Sequence, residues 1–247
     1  MRIFNGTTWP LEETESCLWF DKGQLMLGGG VGSMSECQAP ASFISGVSGG
    51  ILASNIPDLS LVSLDIGEPP HTVNVGQPLV ESRLVLEDLE LVVRKYGKQF
   101  RKRYQGLVGV YNGFCGLDAK DQFTQTWREK ARDRMDLYEE IFYQSVSGPP
   151  VITHVEPSIY FYPNEAEANI RYLYFMIEEL EDWCEWIPWI SWEFQGEGTP
   201  LSYIPMGRWE EFVGILKASS ALGVLLFKKS DVWNPQDDER LATLTAS

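Results

Sequence analysis

Histidine is scarce, with only His71 and His154 in 247 residues, which excludes a histidine-rich metal centre. The four cysteines, Cys17, Cys37, Cys115 and Cys184, form no Cys-x-x-Cys pair. Neither a zinc knuckle nor a dithiol redox motif is therefore encoded, and free buried thiols are expected. Basic residues are outnumbered, 20 Lys and Arg against 35 Asp and Glu, and the resulting net charge of -15 repels phosphate backbones and anionic lipid surfaces. Nucleic acid is excluded as an expected partner. No apolar run approaches the roughly 20 residues of a membrane-spanning helix. The longest, 218–227, is half that length and contains Ser and Gly, so no membrane partner is expected either. The start Met1-Arg2-Ile3-Phe4-Asn5-Gly6 lacks the apolar stretch of a secretion signal, so the chain is read as cytoplasmic or as part of a larger particle. Gly28-Gly29-Gly30-Val31-Gly32-Ser33 lacks both the Gly-Lys-Ser/Thr ending of a P-loop and a Gly-x-Gly-x-x-Gly match, so no nucleotide, metal or other cofactor is expected.

What is present is a core. A hydrophobic content of 44% with 13% aromatics suits one globular domain spanning residues 1–247. From Glu87 onward short apolar runs alternate with amphipathic stretches, the pattern of βα units. Apolar residues at spacings of three and four predict helices along Leu89, Val93, Tyr96, Phe100 and Tyr104, and along Phe123, Trp127, Ala131, Met135, Tyr138 and Phe142. Two more follow along Ile170, Leu173, Tyr174, Ile177 and Leu180, and along Trp209, Phe212, Val213 and Leu216. Runs rich in β-branched and aromatic residues predict strands at 61–66, 107–111, 151–155, 188–194 and 222–227, with weaker ones at 3–5, 25–27 and 50–54.

Eight strands in 247 residues give about 31 residues per unit, close to the ~250 residues of a (β/α)₈ barrel. The expected fold class is thus α/β, a TIM-type barrel that is irregular in its N-terminal third, where 33–57 is full of Ser, Gly and Pro. Residues 68–85 read as a long, turn-rich connection after the fourth strand, at the end of the barrel where active sites lie.

Acids close three of these apolar runs: Asp65 and Glu68 in Leu64-Asp65-Ile66-Gly67-Glu68-Pro69, Glu156 in His154-Val155-Glu156-Pro157, and Glu193 in Trp192-Glu193-Phe194. A charge there is costly without a partner or a task. Glycoside cleavage is one such task, because its oxocarbenium-like transition state needs an anion on one side and a proton donor on the other. Nine tryptophans, with Trp183, Trp186, Trp189 and Trp192 clustered, supply faces that stack on sugar rings or fill the core.

These positions resemble the clan of retaining glycoside hydrolases built on (β/α)₈ barrels. The resemblance implies Glu68, in Gly67-Glu68-Pro69, as acid/base after the fourth strand and Glu193 as nucleophile on the seventh, acting on a carbohydrate substrate. It also implies binding or orienting roles for Asp65, His154, Tyr160, Tyr162, Trp192 and Trp233, with Glu156 as a reserve carboxylate. Gly67 stands where the clan has an Asn that binds the sugar 2-hydroxyl. No oligomeric state is implied.

Two other readings are carried. A barrel without catalysis would serve as a glycan-binding or assembly module, which Gly67 and the irregular N-terminal third favour. Gly46-Val47-Ser48-Gly49-Gly50 sits in a Gly-x-Ser-x-Gly pattern that would make Ser48 an esterase nucleophile, though no Asp-Gly turn supplies the second member of a patatin-like dyad and Pro57 interrupts the following helix.

Overall fold

A computed structural model describes residues 1–6, 11, 14–21, 61–65, 73–100, 106–111, 123–144, 152–162, 166–181, 184–195, 202–228, 230 and 232–246. Its contacts divide the chain into two compact units. One comprises Met1–Glu15, Gly116–Trp127 and Pro157–Ser247, the other Ser16–Cys115 and Arg128–Glu156.

In the first unit, strands β1 (Arg2–Asn5), β5 (Ser158–Ile159), β6 (Trp189–Ile190) and β7 (Gly223–Leu226) pair in parallel in the order β1-β7-β6-β5. Every residue of β7 is buried, so both faces of the sheet are covered, as a parallel sheet with helical crossovers requires. In the second, β2 (Glu15–Asp21), β3 (Leu61–Asp65) and β4 (Leu107–Tyr111) pair in parallel and in sequence order. Among the described elements strands alternate with helices from β3 onward, an α/β arrangement.

The helices are α1 (Leu79–Phe100), α2 (Gln125–Glu139, continued by a π-helical turn at Glu140–Gln144), α3 (Ala166–Leu180), α4 (Met206–Ala218) and α5 (Pro235–Thr245). Helix α4 buries Trp209, Phe212, Val213 and Leu216, the stripe read from the sequence. Helix α3 begins four residues before its expected stripe and turns Tyr174 outward.

Four expectations are corrected. Helix α1 starts at Leu79, inside the stretch read as a loop, because its first turns carry exposed Leu79, Val80 and Leu84 while the buried stripe begins at Leu86. Strand β2 lies where no strand was expected, its apolar Cys17–Phe20 stretch bounded by Glu15, Ser16 and Asp21. The run at 151–155 gives its strand three residues later, at β5, and the run at 188–194 keeps only Trp189–Ile190. The expected strands at 25–27 and 50–54 lie outside the described residues.

The acidic segment 231–239 contains the start of α5. Its Asn234 side chain accepts from the Gln236 N–H at 3.0 Å and Asp237 accepts from the Asn234 N–H at 2.8 Å, a capping box ahead of Pro235 at the first helical position. Asp237 is fully buried. Replacing Asn234 with Ala should cost about 1 to 2 kcal/mol, since it removes the cap and a hydrogen bond to Tyr203. A urea titration would read this as a lower midpoint at unchanged slope.

Candidate functional site

The carboxyl ends of the second unit's strands share one register row. Asp21 is paired with Asp65, Asp65 with Tyr111, and Tyr111 makes a parallel bridge to Glu156. Acids thus occupy three of the four positions at the end of a parallel sheet where α/β proteins place their chemistry. Two residues lower along the strands, Ser63 is paired with Gly109.

Glu156 is completely buried, and both its oxygens are held. Ser63 Oγ donates to Oε2, while Oε1 lies 2.8 Å from His154 Nε2. His154, also fully buried, has its other ring nitrogen 2.9 Å from Thr153 Oγ1. Thr153 is in turn fastened to β4: its hydroxyl donates to the Val108 carbonyl at 3.1 Å and accepts from the Val108 N–H at 3.0 Å, and its own N–H donates to the same carbonyl at 2.8 Å. The reach of Glu156 from the end of β4 to Ser63 on β3 depends on Gly109. A Cβ there would stand 2.0 Å from Glu156 Oε1 and 2.5 Å from His154 Nε2. Only glycine leaves the channel through which the carboxylate passes.

In the first unit Glu193 lies past the end of β6, where it pairs with Tyr203 in an antiparallel bridge. Its side chain is 2% exposed and forms an ion pair with Lys228, itself 1% exposed, at 2.8 Å from Oε1. Ser230 adds its hydroxyl to Oε1 at 2.7 Å and its N–H to Oε2 at 3.0 Å. Burial alone would push the Glu193 carboxyl up, but the hydrogen bonds from Lys228 and Ser230 and the ammonium charge outweigh it and hold the group below its usual value. Burial likewise opposes charge on Lys228, yet Glu193 and Asp237 raise it above the ordinary lysine value. Asp237 stands 3.4 Å from the same ammonium and accepts from the Trp192 indole at 2.6 Å, which ties the Glu193 pair to the start of α5.

The structure thus brings His154 and Glu156 together, and adds Ser63, Thr153 and Gly109, none of which the sequence singles out. It binds Glu193 to Lys228, Ser230 and Asp237. Trp192, read as a sugar platform, is fully buried, edge-on to Trp209 and Trp233 with ring centroids 5.9 and 5.7 Å away. Trp233 is partly exposed and donates to Asp238 at 2.9 Å. Tyr160 and Tyr162 are partly exposed, Tyr160 with its ring 6.0 Å from that of Phe227. Asp65 is placed by its strand register alone, and Glu68, Ser48, His71 and Trp183 lie outside the described residues. Among the described residues no group of three or more His, Cys, Asp or Glu side chains could hold a metal ion, and no helix is long and apolar enough to cross a membrane.

No protein-family model and no curated protein matches this chain. Among solved structures it is similar to the monoclinic crystal structure of bee venom hyaluronidase, with a TM-score of 0.57 and 11% sequence identity over 93% of this chain and 84% of that one. At that identity the likeness is one of fold.

Proposed function

We propose that this chain is a glycoside-hydrolase-like (β/α) barrel, a single domain, that takes a carbohydrate at the carboxyl ends of its strands. The observation that carries the reading is the row Asp21, Asp65, Tyr111 and Glu156 at the ends of parallel strands, in a chain whose fold is similar to that of an enzyme named for hyaluronan cleavage.

In this reading Glu68, three residues past Asp65, donates the proton to the leaving oxygen, and Glu193 is the second carboxylate, kept ionised by Lys228 and Ser230. Asp65, His154, Glu156, Tyr160, Tyr162 and Trp233 line or support the sugar site, and Trp192 supports it from the core.

A second reading, a barrel that binds glycans without cleaving them, is favoured by the hold on Glu193, whose carboxylate is 2% exposed and accepts from both Lys228 and Ser230. Reducing-sugar release from hyaluronan and other polysaccharides separates the two. The enzyme reading expects release by the wild type and a loss of at least a hundredfold in Glu68→Gln at an unchanged melting temperature, the range of general acid catalysis. Binding by calorimetry with no release on prolonged incubation would establish the second reading instead.

A further inference from the structure

We infer that Asp237 is a positioning residue for the Glu193 carboxylate: from the first turn of α5 it holds the Lys228 ammonium between two acids, so that Glu193 meets a shared counter-charge and not a dedicated one. The inference rests on the carbohydrate-cleaving reading, in which Glu193 is the second carboxylate, and deepens it.

The two oxygens of Asp237 have separate tasks. The capping box needs one of them, and Oδ2 serves by accepting from the Asn234 N–H at 2.8 Å. Oδ1 accepts from the Trp192 indole at 2.6 Å and stands 3.4 Å from Lys228 Nζ. Because Trp192 directly precedes Glu193 in the chain, a closed circuit runs from Glu193 through Lys228, Asp237 and Trp192 back to Glu193. A lysine ammonium has three donors, and three oxygens face this one: Glu193 Oε1 at 2.8 Å, Ser230 Oγ, and Asp237 Oδ1.

Charge makes the second acid costly. The side chains of Glu193, Lys228 and Asp237 are 2, 1 and 0% exposed, and a buried ammonium needs only one carboxylate to balance it. Arg240, also buried on α5, lies over the Tyr203 ring at 4.5 Å and donates to the carbonyls of Gln236 and Ile204, not to either acid. A neutral side chain at position 237 would avoid that desolvation, so the charge there has a task beyond the cap. The task falls on Lys228: burial works against the ammonium, while Glu193 and then Asp237 hold it above the ordinary lysine value. In glycoside cleavage the second carboxylate has to be ionised and still able to act on carbon or water. A dedicated ion pair secures the first condition and weakens the second, whereas a shared ammonium serves both. Among the described residues, the groups around Glu193 are Lys228 and Ser230 from beyond β7, Tyr203 across the antiparallel bridge, and Asp237 from α5 through the ammonium.

The test is Asp237→Asn, which keeps the shape and an acceptor but carries no charge. Two measurements are made on the full chain: the Glu193 carboxyl resonance followed through pH by ¹³C NMR, assigned with Glu193→Gln, and the pH profile of reducing-sugar release from hyaluronan and other polysaccharides. With Lys228 given wholly to Glu193, the Glu193 midpoint and the acid limb of the profile are both expected to move to lower pH by about half a unit to one unit, roughly a three- to tenfold loss of proton affinity. A folded variant in which neither moves overturns the inference, because a helix cap alone would lower the melting temperature and leave both in place. A move to higher pH overturns it too, since Asp237 would then be strengthening the pair. If the wild type releases no sugar, the cleavage reading fails, and the Glu193 midpoint alone decides the sharing. Should Asp237→Asn not fold, Trp192→Phe removes the indole donor and leaves both charges. Asp237 Oδ1 then takes more of the ammonium, so a smaller rise in the Glu193 midpoint is expected, and an unmoved midpoint overturns the inference.

Discussion

Gly109→Ala is expected to lose most of the protein's stability. The added methyl would stand 2.0 Å from Glu156 Oε1, 2.4 Å from its Cδ and 2.5 Å from His154 Nε2, all far inside van der Waals contact. Relief requires the carboxylate to withdraw, and withdrawal breaks its hydrogen bonds with both Ser63 and His154. Each buried group so orphaned costs about 1 to 3 kcal/mol, more when charged, so the sum is on the order of 3 to 6 kcal/mol. Against a typical total of about 5 to 15 kcal/mol, that is enough to leave a large unfolded fraction at 37 °C. Chemical denaturation checks the value, and a double-mutant cycle checks the cause. In a Glu156→Ala background the two carboxylate contacts are gone while the His154 ring, 2.5 Å from the added methyl, must still give, so the same substitution should cost markedly less than in the wild type. An equal cost in both backgrounds would mean that the strain lies in the β4 backbone or against His154 rather than in the path of the carboxylate.

This dependence on register explains which parts of the molecule could be read from sequence. Strand β4 is predicted at its observed limits and β7 within one residue, because fully buried parallel strands are short continuous apolar runs between turn residues. Strand β2 escapes the same rule, since Glu15, Ser16 and Asp21 leave only four apolar residues. Helix α1 is placed late because Leu79, Val80 and Leu84 are 42, 65 and 58% exposed and so break the periodic stripe. The Asn-Pro-x-Asp start of α5 is a legible cap, obscured by the charge around it. His154, Glu156 and Glu193 are visible as polar groups closing apolar runs. Their partners are not, because Ser63 and Gly109 become neighbours of Glu156 only through the pairing of β3 with β4 and the bridge from Tyr111 to Glu156. Lys228 and Ser230, likewise, are 35 and 37 residues from Glu193 in the chain.

Lys228→Met, close in length and apolar, is expected to destabilise the protein by about 3 to 5 kcal/mol, the cost of leaving one member of a buried ion pair alone. Glu193 would keep the Ser230 hydroxyl and N–H but lose its counter-charge, and Asp237 would lose the ammonium 3.4 Å away. The pH dependence should change with it. In the wild type Glu193 holds its proton less tightly when folded than when unfolded. Its contribution is therefore complete above the unfolded value of about 4.3 and is lost as pH falls through the lower folded one. Lys228, raised in the fold, contributes fully below about 10.4 and loses that contribution as pH rises past its folded value. Between those limits the pair is intact. Without Lys228, burial dominates at Glu193 and pushes the carboxyl up, so this group would favour folding more as pH falls from 7 towards 4, the reverse of its wild-type effect. Melting temperatures of both proteins at pH 4, 5, 6 and 7 test this: the difference between them should shrink towards acid. A Glu193→Gln/Lys228→Met double variant should recover much of the loss, since it removes both charges together. A constant difference across that range, with no recovery in the double variant, would mean that Lys228 acts through the packing of its stem and not through the charge it shares with Glu193.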